Sequence, residues 1–112
     1  MLFRSLQSAG IRIRVIDAYS VKPIDAETLR RAAADTGGRI IVVEDHWPAG
    51  GLGDAVLDAF TGSKVHPLRG YPAPTITKLA VSKMPGSGTP AELLHAAGID
   101  ADHIVAAVRS LL

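Results

Sequence analysis

Glu44-Asp45-His46-Trp47, followed closely by Gly50-Gly51-Leu52-Gly53-Asp54, crowds carboxylates, an imidazole and an indole into one glycine-rich turn. Gly51, Leu52 and Gly53 match the first positions of a dinucleotide-binding turn, whose glycines let backbone approach a pyrophosphate at a helix N-terminus. The match ends there. Val56 takes the third small position, and Glu44, Asp45 and Asp54 add negative charge that repels a phosphate unless a metal intervenes. Metal binding by Glu44, Asp45 and His46 meets its own obstacle, because neighbours on extended chain alternate direction and do not converge on one ion. Glycines here suit a sharp strand-to-helix reversal, and Asp54 suits the positive end of the following helix dipole. His46 is then a solvated or interface residue, and Trp47 either anchors a partner or lids the strand end. Glu44, Asp45, His46, Trp47, Gly50, Gly51 and Gly53 are accordingly expected to form an interface or packing loop, with no catalytic, cofactor-binding or metal residue in the chain.

The other candidates are sparser. His66, His95 and His103 titrate near neutrality, but His95 and His103 fall on different predicted helices without the ligand spacing of a zinc site, so they are expected at the surface. Ser82-Lys83 and Ser87 lack the strand-turn-helix setting of a nucleophile elbow. Lys22, Lys83 and Arg69 read as solvated loop charges. The absence of cysteine excludes disulfides and thiolate chemistry. With 12 Lys plus Arg against 11 Asp plus Glu, the net charge of +1 gives no general pull towards nucleic acid or an anionic membrane. No apolar run approaches the ~20 residues of a membrane span, and Met1-Leu2-Phe3-Arg4-Ser5 does not open a secretion signal. Cytoplasm is the expected compartment.

Alternating elements position these residues. Leu2, Phe3, Leu6 and Ala9 lie on one helical stripe that stops at Gly10. Ile11, Ile13 and Val15 alternate with Arg12 and Arg14, which predicts a strand ending near Asp17. Asp25 is placed to cap a helix over about Ala26 to Thr36, closed by Gly37-Gly38. Arg39 to Glu44 holds four consecutive β-branched residues, as in a strand covered on both faces of a parallel sheet. Leu52, Val56, Leu57 and Phe60 predict the inner face of a helix. The glycines and prolines from Thr61 to Pro74 predict an irregular connection, with a short edge strand within Val65 to Leu68. A strand is predicted over Thr75 to Val81. Thr89-Pro90-Ala91-Glu92 is a capping box opening a short helix to Ala97, which Gly98 ends, and Asp100 caps a last helix with Ile104, Val108, Leu111 and Leu112 on its apolar face. The order is that of one α/β domain of 112 residues.

Three stretches, taken together, resemble the C-terminal domain of transketolases. They are Val15-Ile16-Asp17-Ala18-Tyr19-Ser20-Val21-Lys22-Pro23-Ile24-Asp25, the run from Glu44 to Val56, and Pro85-Gly86-Ser87-Gly88-Thr89-Pro90-Ala91-Glu92-Leu93-Leu94. The first is shared with deoxyxylulose-phosphate synthases and the beta subunits of 2-oxo acid dehydrogenases. The other two are similar to the subgroup that includes the animal transketolases, which disfavours those other parents. The resemblance implies a three-layer α/β/α domain with a mostly parallel sheet, standing at the end of a three-domain homodimeric enzyme. That enzyme uses thiamine diphosphate and Mg²⁺ to transfer two-carbon ketol units between sugar phosphates. The cofactor and metal belong to its other domains, so none is expected to bind here, and this chain alone is expected to be inactive. The family domain begins with a further strand and most of a helix, which leads us to expect an N-terminally truncated domain whose residues 1–5 are a non-native start. The expected partners are the remaining transketolase domains or a separate catalytic chain; a free-standing interaction module is the alternative.

Overall fold

A computed structural model describes residues 6–61 and 74–112. The helical stripe at the start is present over 6–8 and ends as predicted at Gly10, whose φ of +77° is the left-handed conformation that closes a helix. Helix α1 (Ala26–Asp35) starts where Asp25 accepts a hydrogen bond from the Thr28 amide at 3.1 Å. Strand β1 (Arg39–Val43) leads through the glycine turn into α2 (Leu52–Ala59), and β2 (Thr75–Leu79) returns parallel to β1. The register runs from Arg39 opposite Thr75 to Val43 opposite Leu79. Helices α3 (Pro90–Ala97) and α4 (Ala101–Ser110) complete the described chain.

The core forms where α1 and α2 meet β1. Leu29, Val42, Val56 and Ala59 are buried together, with Ile24, Ile40, Leu52, Phe60 and Ile76 packed around them. Ile41 and Val43 point away from that cluster because strand side chains alternate, and α4 also packs on β1, giving helix, sheet and helix layers. The β-branched run thus forms the two-sided strand its composition predicts. Val56 and Ala59, three apart, carry the buried face of α2, whereas Leu57 turns outward and is exposed.

The segment Ile11 to Ile16 differs from expectation, since it joins no ladder among the described residues. Its alternation survives as far as Ile13: Ile11 and Ile13 are half-buried while Arg12 and Arg14 are exposed. Beyond that point Val15, Ile16, Tyr19 and Val21 are all exposed, Tyr19 at 93%. Alternation selects which residues face inward, but a strand also needs a neighbour to accept its backbone hydrogen bonds. Here the segment is held to α1 by a half-exposed Arg14–Asp35 ion pair of 3.0 Å. The predicted edge strand within Val65 to Leu68, His66, Arg69 and residues 1–5 lie outside the described residues.

Candidate functional site

The glycine turn is built around Glu44. Its backbone N–H continues the ladder by donating to the Leu79 carbonyl at 3.0 Å, which turns its side chain under the start of α2, where it is 6% exposed. Oε2 accepts from the Gly53 amide at 2.9 Å. A carboxylate nine residues upstream, just past the end of β1, thus satisfies an amide of the first helical turn and sits at the positive end of the helix dipole. Gly51, the residue before the helix, supplies no side-chain cap of its own.

Both glycines flanking Leu52 are needed for this approach. A Cβ at Gly53 would stand 2.6 Å from Glu44 Oε2 and 2.7 Å from Lys78 Cε, and one at Gly51 would collide with Glu44 Oε1 and the His46 ring. At such separations something must shift; the Lys78 stem is flexible, whereas the Glu44 carboxylate is buried and bonded to the Gly53 amide, so the steric demand for glycine comes chiefly from the chain's own carboxylate.

Asp54 closes the outer side of the turn. Its Oδ2 accepts from the Gly50 amide at 2.6 Å and its Oδ1 pairs with Lys78 Nζ, which also donates to the Pro48 carbonyl at 2.9 Å. The Gly50 amide, followed by Lys78, holds the Asp54 carboxyl below the usual carboxylate range. His46 Nδ1 donates to the Trp47 carbonyl at 2.7 Å, and its own carbonyl accepts from the Val81 amide at 2.9 Å. Glu44 and His46 do approach one another, with Oε1 and Nδ1 3.9 Å apart, while Asp45 is exposed. Trp47 is 53% exposed, and Glu44 Oε1 is buried without a hydrogen-bond partner.

This geometry answers whether the turn suits the diphosphate of the cofactor that the sequence resemblance implies. The Gly50 and Gly53 amides are already bonded to Asp54 and Glu44, and the space over Gly51 is filled by Glu44 Oε1 and His46. An incoming diphosphate would meet two carboxylates where it requires free N–H groups. The turn does not fit it.

A second group of titratable side chains assembles where α3 meets α4. Gly98, with φ of +73°, ends α3, and Asp100 caps α4 by accepting from the His103 amide at 3.1 Å. One intervening residue, Ile99, is buried and pins the corner. This sharp reversal brings His95 from the last turn of α3 and His103 from the first turn of α4 onto one carboxylate. His95 Nδ1 lies 2.6 Å from Asp100 Oδ2, and His103 Nδ1 is hydrogen-bonded to Oδ1. The two ring centroids are 5.0 Å apart. The His103 ring, then the His95 ring, draws the Asp100 carboxyl far below the usual carboxylate range. Placement on separate helices did not keep these histidines apart. The signal that could have found them is Gly98 followed two residues later by a capping Asp100, which forces a tight corner between the helices.

A third feature is a groove of about 360 Å³ lined by Ile16, Tyr19, Pro23, Ile24 and Leu29 among others. It runs beside the exposed apolar residues from Val15 to Val21. No helix among the described residues is long and apolar enough to cross a membrane.

Comparison with known proteins gives a consistent set of similarities. The family described as transketolase, C-terminal domain, matches residues 2–104. Transketolase of Mus musculus is 46% identical over 108 residues, covering 96% of this chain and 16% of the relative. Transketolase of Homo sapiens is 45% identical over 107 residues, with 96% and 16% covered. Among solved structures, a split gene transketolase described as an inactive beta4 tetramer superposes with a TM-score of 0.79 at 37% identity, covering 97% of this chain and 33% of that one. The chain therefore spans about one sixth of the length of these curated relatives.

Proposed function

The chain belongs to the transketolase C-terminal domain family, and from that premise we propose that it is the structural, non-catalytic domain of a thiamine-diphosphate-dependent transketolase. The parent enzyme transfers two-carbon ketol units between sugar phosphates in the cytoplasm, and works as a homodimer. Thiamine diphosphate and Mg²⁺ are held by its other domains. The role of this domain is to dock on those domains and fix their arrangement.

The observation that carries this reading is the exposed apolar stretch Val15, Ile16, Tyr19 and Val21 beside the groove. Several exposed apolar side chains on one short segment suit an interaction site, and tyrosine is enriched among interface anchors. The glycine turn supports it from the other side, since its Gly50 and Gly53 amides already serve the chain's own Asp54 and Glu44 carboxylates. A second reading, a small subunit that pairs with a separate catalytic chain, draws support from the split gene transketolase neighbour.

The test is to combine this chain with the remaining transketolase domains and follow association by native mass spectrometry and ketol transfer by a coupled assay. A stable complex is expected, and Tyr19→Asp should weaken it by about 10-fold or more. Failure to associate, or undiminished affinity of the Tyr19→Asp chain, would contradict docking through this face. Complex formation with a chain that naturally ends before this domain would identify the split arrangement.

A further inference from the structure

We propose that His95, Asp100 and His103 form a binding site for a divalent transition-metal ion of the zinc type. The three residues each offer a ligand atom, and these atoms all lie within 4.8 Å of one another. Two imidazoles and one carboxylate form a nitrogen and oxygen donor set that suits Zn²⁺, Ni²⁺ or Cu²⁺ better than Mg²⁺ or Ca²⁺, which prefer oxygen alone.

The corner pre-organises the set. Gly98 and the buried Ile99 fix the two helix ends, and Asp100 is anchored through the His103 amide, which Oδ1 accepts while Oδ2 faces His95. Both rings direct Nδ1 at the same carboxylate, His95 at Oδ2 and His103 at Oδ1. Bringing the three onto one ion requires the donors to rearrange. Metal bonds of about 2.0–2.1 Å at tetrahedral angles put donor atoms roughly 3.3 Å apart. His95 and Asp100 stand at 2.6 Å and must open by less than about 1 Å, while atoms of the set up to 4.8 Å apart must close by about 1.5 Å or less, shifts within reach of side chains on exposed helix ends. The side chains of His95 and His103 are 65% and 42% exposed, which leaves the ion a route in and a position for water. A three-ligand site of this form keeps one coordination position open. The cluster shares no residue with the glycine turn or with the exposed 15–21 segment, so the proposal does not rest on the docking role.

Chelator-treated chain titrated calorimetrically with ZnCl₂, and in parallel with CoCl₂ followed by visible absorption, tests it. The expected result is a single saturable site of 1:1 stoichiometry, with cobalt bands of a four- or five-coordinate ion. His95→Ala and His103→Ala should each weaken binding at least as much as the about 10-fold loss that even outer-shell changes produce. Asp100→Asn is the decisive variant: asparagine also caps helices well, so circular dichroism should stay unchanged while zinc affinity falls. A double variant of the other two histidines, His46→Ala with His66→Ala, should retain the site. The proposal is overturned by no saturation up to about 1 mM zinc. It is equally overturned if binding survives in His95→Ala and His103→Ala, or is lost with His46 and His66.

Discussion

At the 44–54 turn a carboxylate is buried and committed to backbone, whereas at the 95–103 corner a carboxylate near the surface gathers two titratable rings. Glu44 is 6% exposed and bonds the Gly53 amide, and a methyl group at Gly51 or Gly53 would force its carboxylate to shift. Asp100 caps a helix too, but its remaining capacity faces His95 and His103, both open to solvent. Density of chemistry-bearing residues along a sequence is therefore a poor guide to reactivity. A crowded turn can use most of its donors and acceptors to hold its own shape, as the Gly50 and Gly53 amides do here. Two histidines eight positions apart can converge because a glycine reverses the chain between them.

The largest effect should come from closing the glycine turn against itself. Gly53→Ala forces a Cβ against Glu44 Oε2 and Lys78 Cε, and is expected to lower stability by on the order of 3 kcal/mol in urea unfolding. Gly86→Ala, where nothing lies within 4 Å, serves as the control and should change stability little. Glu44→Ala comes next, at about 2 kcal/mol, because it strands the buried Gly53 amide. A Glu44→Ala chain of unchanged stability would erase the contrast between the two regions.

At the corner, Asp100→Ala should lower stability through the lost cap, and by more than Asp100→Asn, which keeps an acceptor for the His103 amide. The smallest effect is a pH dependence at the turn. Asp54 has a lowered folded pKa, so the folded chain binds fewer protons there than the unfolded chain, and stability from this group is present above the usual carboxylate range. That contribution is lost as pH falls below about 4, through the folded pKa. Asp54→Asn should flatten the acid limb of a stability profile measured between about pH 5 and pH 2. An unchanged acid limb would show that the Gly50 and Lys78 contacts do not persist in solution.

Much of the fold was legible because local chemistry and tertiary packing agree. Asp25, Thr89 and Asp100 accept the amide bonds their positions predict, Gly98 adopts the left-handed conformation that ends α3, and the β-branched run from Ile40 to Val43 lies in the parallel sheet. The Ile11 to Ile16 segment was misjudged because alternation encodes inward and outward faces but carries no information about a pairing partner. The steric logic of Gly51 and Gly53 was legible only as a tight turn. That Glu44 is the group they make room for depends on the ladder placing its side chain under α2, which neighbouring residues do not reveal. The His95, Asp100 and His103 cluster was missed for the opposite reason, since ligand spacings drawn from single helices and loops do not describe a corner between two helices.

Under the proposed function this domain shapes a transketolase without holding its cofactor. The most direct measurement is a calorimetric titration of the chain with thiamine diphosphate in the presence of Mg²⁺. No saturable heat is predicted, because the Gly50 and Gly53 amides are engaged by Asp54 and Glu44. A stoichiometric binding isotherm, abolished by substitution within the 44–54 turn, would contradict the proposed role.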